Sequence, residues 1–460
     1  RNSTQLSILK RRVGGPTGTV LPKLVLFRFA HSIRRPNPKG KLNQSVMSKI
    51  QLILLFLAFS QMNCVNNNFP QTSPGTQDEV EEPVETPLNS PQTIQVGAEQ
   101  TGKYVPLLTG KNVAAVVNQS STFSGGHHLI DSLQSLGVQL VKIFALEHGF
   151  RGTADAGASI NDGIDEQSGL PIVSLYGREK EPSAAALSNV DVIVFDIQDV
   201  GARFYTYISS LHYILRGAAK NNTEVIILDR PNPNGHYVDG PILQAGFESF
   251  VGMHPVPVVH GMTIGEYGQM INGEGWLEDG LQARLTVIPC QNYTHTTPYE
   301  LPIPPSPNLP NWRSILLYPS LCFFEGTVVS VGRGTNTQFQ VYGHPQLASG
   351  DYVFTPRPGP GSAHPKLQGQ ACRGFDLTLL SVQGLLKQSQ LNLGYFIDAH
   401  NELAAIDFFD RPAFFDKLAG SSQLRQQISS GMSEATIRAS WEDGLQKFRQ
   451  MRKQYLLYRE

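Results

Sequence analysis

Short apolar runs alternate with amphipathic stretches between residues 112 and 290, and this alternation restricts the fold more than any other feature. The first two runs, 112–118 and 138–145, are rich in Val, Ile and Ala, and a helical pattern at 128–137 separates them. Strands that are apolar along their whole length are buried on both faces, as in parallel sheets covered by helices. The sequence therefore predicts an α/β domain with a doubly wound parallel sheet.

A proline-rich segment, LPIPPSPNLPNW at 301–312, interrupts this pattern. Its prolines exclude an ordinary helix or a central strand. We expect a sheet domain at 104–312 and a smaller α/β or α+β domain at 313–460. The further predicted strands are 190–197, 224–229, 256–260, 285–290, 328–331 and 338–342, and the further predicted helices are 206–220, the start of 263–277, 376–388, 412–419, 422–430 and 433–455.

The N-terminal residues have a different composition from the rest of the chain. Residues 1–46 carry ten Lys and Arg residues and no acid, and we interpret them as a non-native upstream extension, with a basic targeting segment as the alternative. Residues 47–64 combine a short charged start with an apolar run that ends at Cys64. This pattern predicts a signal peptide with Cys64 as a candidate lipidation site.

The segment at 65–103 is rich in Asn, Pro, Thr and Glu, so we expect a disordered linker there. A signal peptide, a lipidated cysteine and a linker together predict an exported protein. Such a protein would lie in the periplasm or be anchored to the outer membrane by its lipid.

Composition and motifs argue against several classes of partner. The net charge is −1, with 37 basic and 38 acidic residues, so there is no electrostatic reason to expect a nucleic acid partner. The first strand–helix turn, NQSSTFSGG, lacks both a G-x-G-x-x-G pattern and a phosphate-loop lysine. No G-x-S-x-G elbow or metal-ligand spacing occurs either. We therefore expect no cofactor and no metal.

Polar side chains follow the predicted strands at the points where they end. In an open parallel sheet, ligands bind outside the carboxyl ends of the strands. Several separate segments therefore deliver acids, imidazoles and arginines to one edge of the sheet. They are Glu147, His148 and Arg151 after the second strand, Asp196 and Asp199 at the third, Asp229 at the fourth and His260 at the short strand 256–260.

Some of these residues also have a structural interpretation. Asp196 or Asp199 could cap the helix that follows them, and Asp229 could fix the turn before a proline. His260 could be a core histidine. Glu147 is the hardest to explain structurally, because it is a carboxylate directly after a buried strand.

An exported protein with several carboxylates at one edge and no cofactor suggests chemistry on sugars. A pair of carboxyl groups can cleave a glycosidic bond when one protonates the leaving oxygen and the other acts as base or nucleophile. Glu147 is the candidate acid, and Asp196 and Asp199 are candidate ionised partners. Two alternatives stay open: a binding protein without catalysis, and a metal-dependent hydrolase that uses His148, Asp196 and His260.

Seven motifs in order resemble the NamZ-type exo-β-N-acetylmuramidases over roughly residues 105–460. The resemblance implies that N-acetylmuramic acid is released from the non-reducing ends of peptidoglycan chains. It also implies a Rossmann-like domain joined to a smaller C-terminal domain, with the site between them. The motifs are ALEHGFRGTADAG, GLPIVSLYG, VDVIVFDIQDVGARFYTYISSL, LDRPNPNG with GPIL, VHGMTIGEYGQMIN, PPSPNLP and FEGTVVSVGRGT.

The resemblance also implies roles for individual residues. Glu147 becomes the leading general acid, and His148 and Arg151 would orient it or bind substrate. Muramic acid carries a lactyl carboxylate, which an arginine can hold with two hydrogen bonds. The arginines considered for this role are Arg151, Arg203 and Arg230. The other implied site residues are Asp196, Asp199, Tyr205, Asp229, Asn232 and His260, with Glu325 and Arg333 from the second domain.

Overall fold

The structure, a computed structural model, describes residues 93–150 and 162–460. Ten strands in these residues form two sheets, one of seven strands in the order β3-β4-β2-β1-β5-β6-β7 and one of three in the order β8-β10-β9. The strands are β1 (Val113–Val117), β2 (Leu140–Ala145), β3 (Gly163–Ile164), β4 (Pro171–Ser174), β5 (Val192–Asp196), β6 (Glu224–Leu228), β7 (Arg284–Ile288), β8 (Val341–His344), β9 (Tyr352–Phe354) and β10 (Cys372–Asp376).

Helices flank both sheets. Short 3-10 segments occupy Gly97–Glu99 and Cys322–Gly326. The α-helices are α1 (Thr101–Leu108), α2 (Leu129–Ser135), α3 (Ala184–Leu187), α4 (Tyr207–Lys220), α5 (Ile264–Gly273), α6 (Trp312–Leu321), α7 (Val382–Leu386), α8 (Gly394–Glu402), α9 (Pro412–Ala419), α10 (Gln423–Ser429), α11 (Glu434–Ala439) and α12 (Glu442–Arg452).

The large sheet is parallel except at one edge, where β3 runs antiparallel to β4. Both faces are covered, because successive residues of β1 enter two different apolar clusters. Ala114 and Val116 belong to one cluster, and Val113, Ala115 and Val117 belong to the other. The predicted class is therefore confirmed: a doubly wound α/β sheet with a smaller C-terminal region, whose own sheet is antiparallel.

Two predicted strands are wrong. In 256–260, Val259 makes only isolated bridges, to Ala202 and to Asp239, and in 328–331 Ser330 makes only an isolated bridge to Gly343. Both stretches are apolar because they are buried. Apart from Ser330, which pairs with Gly343 of β8, their backbone groups bond to loops and side chains, so an apolar pattern alone cannot identify them.

Three other boundaries differ from the prediction. The predicted helix 376–388 follows strand β10 and contains only the short helix α7, and the predicted helix 433–455 divides into α11 and α12. Helix α6 begins at Trp312, inside the proline-rich segment, because the Asn311 side chain accepts a hydrogen bond from the Ser314 amide at 3.0 Å.

The folded region begins before residue 104, where the predicted linker was to end. Residues 97–103 already include a 3-10 turn and the start of α1. The Gly97 amide donates to the Asp229 carbonyl at 2.8 Å, which ties this stretch to the end of β6. No helix within 93–150 and 162–460 is long and apolar enough to cross a membrane.

The C-terminal residues return to the large sheet. The described residues belong to one compact unit, and the Tyr458 hydroxyl donates to the Asp229 carboxylate at 2.6 Å. The His295 amide also donates to the Arg459 carbonyl at 2.9 Å. The two halves of this unit are therefore joined at the carboxyl edge of the sheet, where the predicted site residues lie.

Candidate active site

Glu147 lies two residues beyond β2, and its carboxylate is held by two hydroxyl groups. The Tyr176 hydroxyl donates to Oε1 at 2.8 Å, and the Thr206 hydroxyl donates to Oε2 at 2.6 Å. Thr206 immediately precedes helix α4, and its side chain bonds Glu147 instead of capping the helix. The half-buried carboxylate is thus fixed in orientation by a strand end on one side and a helix start on the other.

His148 is buried and has a φ of 68°, in the left-handed region that few residues with side chains adopt. Gly149 follows with a φ of 74°, so the chain turns sharply directly after Glu147. Such backbone conformations are retained where a side chain must point in a set direction. Arg151, the third polar residue of this segment, lies outside the described residues.

A cleft of about 180 Å³ opens beside Glu147, and the C-terminal region forms one of its walls. Segments from before and after the proline-rich stretch contribute its walls. The lining residues are Glu147, His148, Phe204, Tyr205, Thr206, Val251, Ser306, Asn308, Leu309, Tyr318, Cys322, Glu325, Arg333, Phe339, Phe414 and Leu418.

Glu325 and Arg333 form an ion pair on the C-terminal wall of the cleft. The Nε of Arg333 donates to Glu325 at 2.8 Å, and the guanidinium carbon lies 4.9 Å from the centre of the Phe339 ring. Burial opposes the charge of Arg333, but the neighbouring Glu325 carboxylate raises its pKa above the ordinary value. Within the described residues, the two terminal nitrogens of Arg333 make no hydrogen bond, so they can meet an anion in the cleft.

Tyr205 joins the cleft to the proline-rich segment. Its hydroxyl donates to the Pro305 carbonyl at 2.7 Å, and its ring packs edge-on against Tyr207 and Tyr318. Of the predicted site residues, Glu147, His148, Tyr205, Glu325 and Arg333 line the cleft. The other predicted residues that the structure describes lie behind its walls.

Asp196 is one of the residues behind the cleft. It is fully buried at the end of β5, and its two carboxylate oxygens accept hydrogen bonds from Arg230 at 2.5 and 2.9 Å. Arg230 also donates to the Thr122 carbonyl at 3.1 Å. In this bidentate pair both carboxylate oxygens of Asp196 are bonded to the Arg230 guanidinium. Neither Asp196 as a catalytic carboxylate nor Arg230 as a ligand for the lactyl group is brought to the cleft.

Asp199 and His260 form a second buried pair, and neither residue lines the cleft. One Asp199 oxygen accepts from the Gly201 amide at 2.6 Å and lies 3.9 Å from Nε2 of His260. Burial raises the pKa of Asp199 to about 7, although hydrogen bonds from two backbone amides oppose the shift. Burial and the nearby Arg452 and Arg203 lower the pKa of His260 to about 3.

Arg203, Asp229 and Asn232 have structural partners as well. Arg203 is fully buried and donates to the carbonyls of Pro241, Val256 and Leu418 at 2.6 to 2.8 Å. Asp229 accepts from Thr263 and Gly265 at the start of α5, and burial raises its pKa to about 6. Asn232 donates to the Met262 carbonyl and accepts from the Asn234 amide. The structural interpretation of Asp229 is the one that matches this geometry.

The sequence prediction missed several polar groups at the cleft. Tyr176 and Thr206 hold Glu147, and Ser306 and Asn308 line the opposite wall. All four lie inside motifs that carry the family resemblance, and this position was the sequence feature that could have identified them. The motifs are GLPIVSLYG, FYTYISSL and PPSPNLP. In the described part of the chain, no group of three or more His, Cys, Asp and Glu residues could hold a metal ion.

The chain matches two family models that together cover most of the compact unit. The model described as exo-β-N-acetylmuramidase NamZ, N-terminal, matches residues 113–313, and the C-terminal model of the same family matches residues 316–458. The peptidoglycan β-N-acetylmuramidase NamZ of Bacillus subtilis strain 168 is 36% identical over 397 residues, which cover 81% of this chain and 94% of that protein.

Solved structures with the same fold come from Bacteroides fragilis NCTC 9343. One DUF1343 family protein is 47% identical, with a TM-score of 0.74, and the match covers 80% of this chain and 100% of that one. A second is 27% identical, with a TM-score of 0.69, and covers 80% and 99%. Taken with the family models and the relative in Bacillus subtilis, these likenesses show that the chain belongs to the NamZ exo-β-N-acetylmuramidase family.

Proposed function

We propose that this protein is an exo-acting glycoside hydrolase that releases N-acetylmuramic acid from the non-reducing ends of peptidoglycan fragments. One observation carries the proposal: Glu147, whose carboxylate is held by two hydroxyl groups, lines the same cleft as Arg333. The cleft thus holds an acid for the glycosidic bond and a cation for the lactyl carboxylate. Membership of the NamZ family supports the same activity.

In this reaction, Glu147 gives its proton to the glycosidic oxygen as the bond from that oxygen to the anomeric carbon breaks. Water adds its hydroxyl to the anomeric carbon and releases its other proton to the solvent, from which Glu147 is protonated again. Tyr176 and Thr206 keep the carboxyl group pointed at the glycosidic oxygen. The transferred proton and the water thus account for both new hydroxyl groups, one on each product.

Arg333 binds the lactyl carboxylate in this proposal. Its side chain lines the cleft, and its Nε is already fixed by Glu325 at 2.8 Å. A fixed guanidinium loses less freedom when it binds, and two parallel hydrogen bonds to a carboxylate give both affinity and geometry. Glucosamine lacks the lactyl group, so this contact would distinguish muramic acid from it.

The first test compares Glu147→Gln with the wild-type protein on two substrates. On a β-1,4-linked muramyl–glucosamine disaccharide, kcat should fall by about 10²- to 10⁴-fold, because the leaving sugar needs the proton. On a nitrophenyl β-N-acetylmuramide the loss should be smaller, since nitrophenolate leaves without protonation. Glu300→Gln, which changes an exposed glutamate outside the cleft, is the matched control.

Two outcomes would contradict the proposal. If the wild-type protein releases no muramic acid but binds muramyl sugars tightly in calorimetry, the protein is a binding protein without catalysis. If Glu147→Gln cleaves both substrates as fast as the wild-type protein does, another group is the acid.

We also propose that the protein is exported and anchored by a lipid on Cys64. The support is the sequence alone: a short charged start, an apolar run and a cysteine within residues 47–64, all outside the described residues. Mass spectrometry of the protein expressed in a diderm bacterium should find Cys64 as an acylated N-terminus. Cys64→Ser should release the protein from the membrane fraction. An N-terminus upstream of Cys64 in the wild-type protein would contradict this.

A further inference from the structure

Tyr207, the first residue of α4, contacts the main chain of Glu147. Its hydroxyl donates to the Glu147 carbonyl at 3.3 Å. The residue before it, Thr206, donates to the Glu147 carboxylate at 2.6 Å. Two consecutive residues at the start of one helix therefore hold Glu147 at two points, one on its carboxylate and one on its main chain.

Asn118 sets the direction in which the Tyr207 hydroxyl donates. It follows β1 and is fully buried, and its Nδ2 donates to the Tyr207 hydroxyl at 2.9 Å. The Oδ1 of Asn118 accepts from the amide and the hydroxyl of Ser120 at 2.9 and 2.6 Å. The side-chain amide cannot turn over, because its NH₂ group would then face the Ser120 amide, which is itself a donor. Tyr207 therefore accepts from Asn118 and keeps its single proton for the Glu147 carbonyl.

Asn118 is itself held by the segments around it. Its carbonyl lies 2.9 Å from Nε2 of His128, whose Nδ1 accepts from the Ile130 amide at 3.2 Å, so Nε2 carries the proton and donates. The Asn118 amide donates to the Ser121 hydroxyl at 3.0 Å, and that hydroxyl donates to the Asp196 carbonyl at the end of β5. Asn118 is therefore a fixed support between the ends of two central strands.

The turn that Tyr207 contacts determines where the Glu147 carboxyl group points. His148 and Gly149 have φ values of 68° and 74°, and the Gly149 amide donates to the Leu146 carbonyl at 2.9 Å. If the Glu147 carbonyl loses the tyrosine donor, this peptide unit can rotate and move the side chain with it. A displacement of about 1 Å in a catalytic group can lower a rate about 100-fold.

Tyr207 acts through Glu147 and not on the substrate. It is buried and does not line the cleft. Burial and the neighbouring Glu147 carboxylate raise the pKa of Tyr207 above its ordinary value, although the hydrogen bond from Asn118 opposes the shift. The hydroxyl therefore keeps its proton near neutral pH and remains a donor to the Glu147 carbonyl.

We propose that Tyr207, aligned by Asn118, is a positioning residue that holds the turn at Glu147 so that its carboxyl group meets the glycosidic oxygen. The proposal rests on the proposed function, in which Glu147 is the general acid. It implies that loss of the tyrosine hydroxyl impairs proton transfer to the leaving sugar and leaves substrate binding unchanged.

The test measures Tyr207→Phe on the muramyl–glucosamine disaccharide and on the nitrophenyl muramide. On the disaccharide, kcat should fall about 5- to 20-fold, because the leaving sugar needs a well-placed acid, and KM should stay within about twofold. On the nitrophenyl muramide, kcat should change less than about twofold, since that leaving group needs no proton. A smaller amount of folded protein lowers both kcat values equally, so the ratio of the two values reports positioning alone.

Tyr213→Phe is the matched control for this ratio. Tyr213 lies further along the same helix, is half-buried and does not line the cleft. Removing its hydroxyl should leave the ratio of the two kcat values at that of the wild-type protein.

Asn118→Asp tests the direction of the hydrogen bonds and serves where Tyr207→Phe does not fold. The introduced carboxylate can accept from Ser120 as before, but it cannot donate to Tyr207, so the tyrosine proton turns towards it. Three donors, two from Ser120 and one from Tyr207, keep this carboxylate ionised. The ratio of kcat values should fall as in Tyr207→Phe. The double variant should show no further fall, because both substitutions remove the same contact.

Three results would overturn the proposal. They are an unchanged ratio of kcat values in Tyr207→Phe or in Asn118→Asp, equal losses of kcat on both substrates, and a double variant in which the two effects add. A failure of the proposed function is distinguishable from these. A wild-type protein that releases no muramic acid overturns that function and this inference with it. If Glu147→Gln slows the disaccharide while Tyr207→Phe keeps the wild-type kcat, only the inference is wrong.

Discussion

Arg333 differs from Arg203 and Arg230 because it lines the cleft and they do not. The Arg230 guanidinium donates to the Asp196 carboxylate, and the Arg203 guanidinium donates to three carbonyls. In the sequence, all three are arginines within or close to polar motifs, and no feature of the sequence distinguishes them. The three arginines differ only in the partners that their guanidinium groups contact in the folded protein.

Replacing Arg333 should therefore weaken binding of the lactyl group. Arg333→Met should raise KM for the nitrophenyl muramide by about 10- to 100-fold, the usual loss for a hydrogen-bonded charge pair. The remaining hydrolysis of the matching glucosaminide should not fall by the same factor, because that sugar has no carboxylate. Steady-state kinetics on both glycosides checks this, with Arg357→Met, an exposed arginine outside the cleft, as control. Equal losses on both sugars would contradict the role.

At the scale of elements, the turns after the parallel strands divide the predicted acids into two kinds. The turn after β2 presents Glu147 to the cleft, whereas the turns after β5 and β6 use Asp199 and Asp229 to hold backbone amides. Parallel strands bring all these turns to one edge, so the edge could be predicted from the sequence. Which turn faces outward depends on the C-terminal region that covers the others.

Asp199, the buried acid in the turn after β5, should make the free energy of unfolding depend on pH. Asp199 has a folded-state pKa of about 7 against an ordinary value of 3.8, so the folded protein binds more protons than the unfolded chain between these values. The free energy of unfolding should therefore fall as pH rises through this window. The Asp199→Asn variant has no carboxyl group here, so its free energy of unfolding should not show this fall. Relative to the wild-type protein, its free energy of unfolding should therefore increase by about 1–2 kcal/mol from pH 5 to pH 7.

Urea unfolding at several pH values measures this effect. Asp443→Asn, an exposed acid in α12, serves as the control and should show no such trend. A stability difference between Asp199→Asn and the wild-type protein that is the same at pH 5 and pH 7 would contradict the expectation.

The elements that could be predicted are those whose burial and backbone pairing agree. Strands β1, β2, β5, β6 and β7 are apolar and paired, and all were expected. The stretch 256–260 is equally apolar, yet the Val256 carbonyl accepts a hydrogen bond from the Arg203 side chain instead of from a strand. The stretch was predicted as a strand because it is buried, although it is not paired. In the site, Glu147 was predictable from its position after a strand. Tyr176 and Thr206 were not, because they reach it from distant positions along the chain.

At the scale of the whole molecule, buried hydrogen bonds join the two regions on either side of the proline-rich segment. Arg203 reaches from the first region to the Leu418 carbonyl, near the end of α9, and Leu418 itself lines the cleft. Tyr205 and Tyr458 add contacts to Pro305 and Asp229. The cleft walls are therefore held by the same contacts that hold the fold.

Removing the Arg203 guanidinium should lower the free energy of unfolding substantially. Arg203→Met leaves three buried carbonyls without their donor, and a loss of about 3 kcal/mol is expected. Arg449→Met, which breaks an exposed pair with Glu442 and one hydrogen bond to the Val238 carbonyl, should cost only about 1 kcal/mol. Chemical denaturation of both variants gives the comparison. Equal small losses would show that Arg203 does not join the two regions.

The cleft takes its acid from one stretch of the chain and its cation from another, and this has a consequence for how the protein could change. Glu147 stands on the large sheet, while Glu325 and Arg333 stand on a short segment after α6. Under the roles proposed for Glu147 and Arg333, bond cleavage and the choice of sugar can therefore vary separately. An engineer who replaced residues 325–333 while keeping the sheet would retain the hydrolytic group and alter which terminal sugar is accepted.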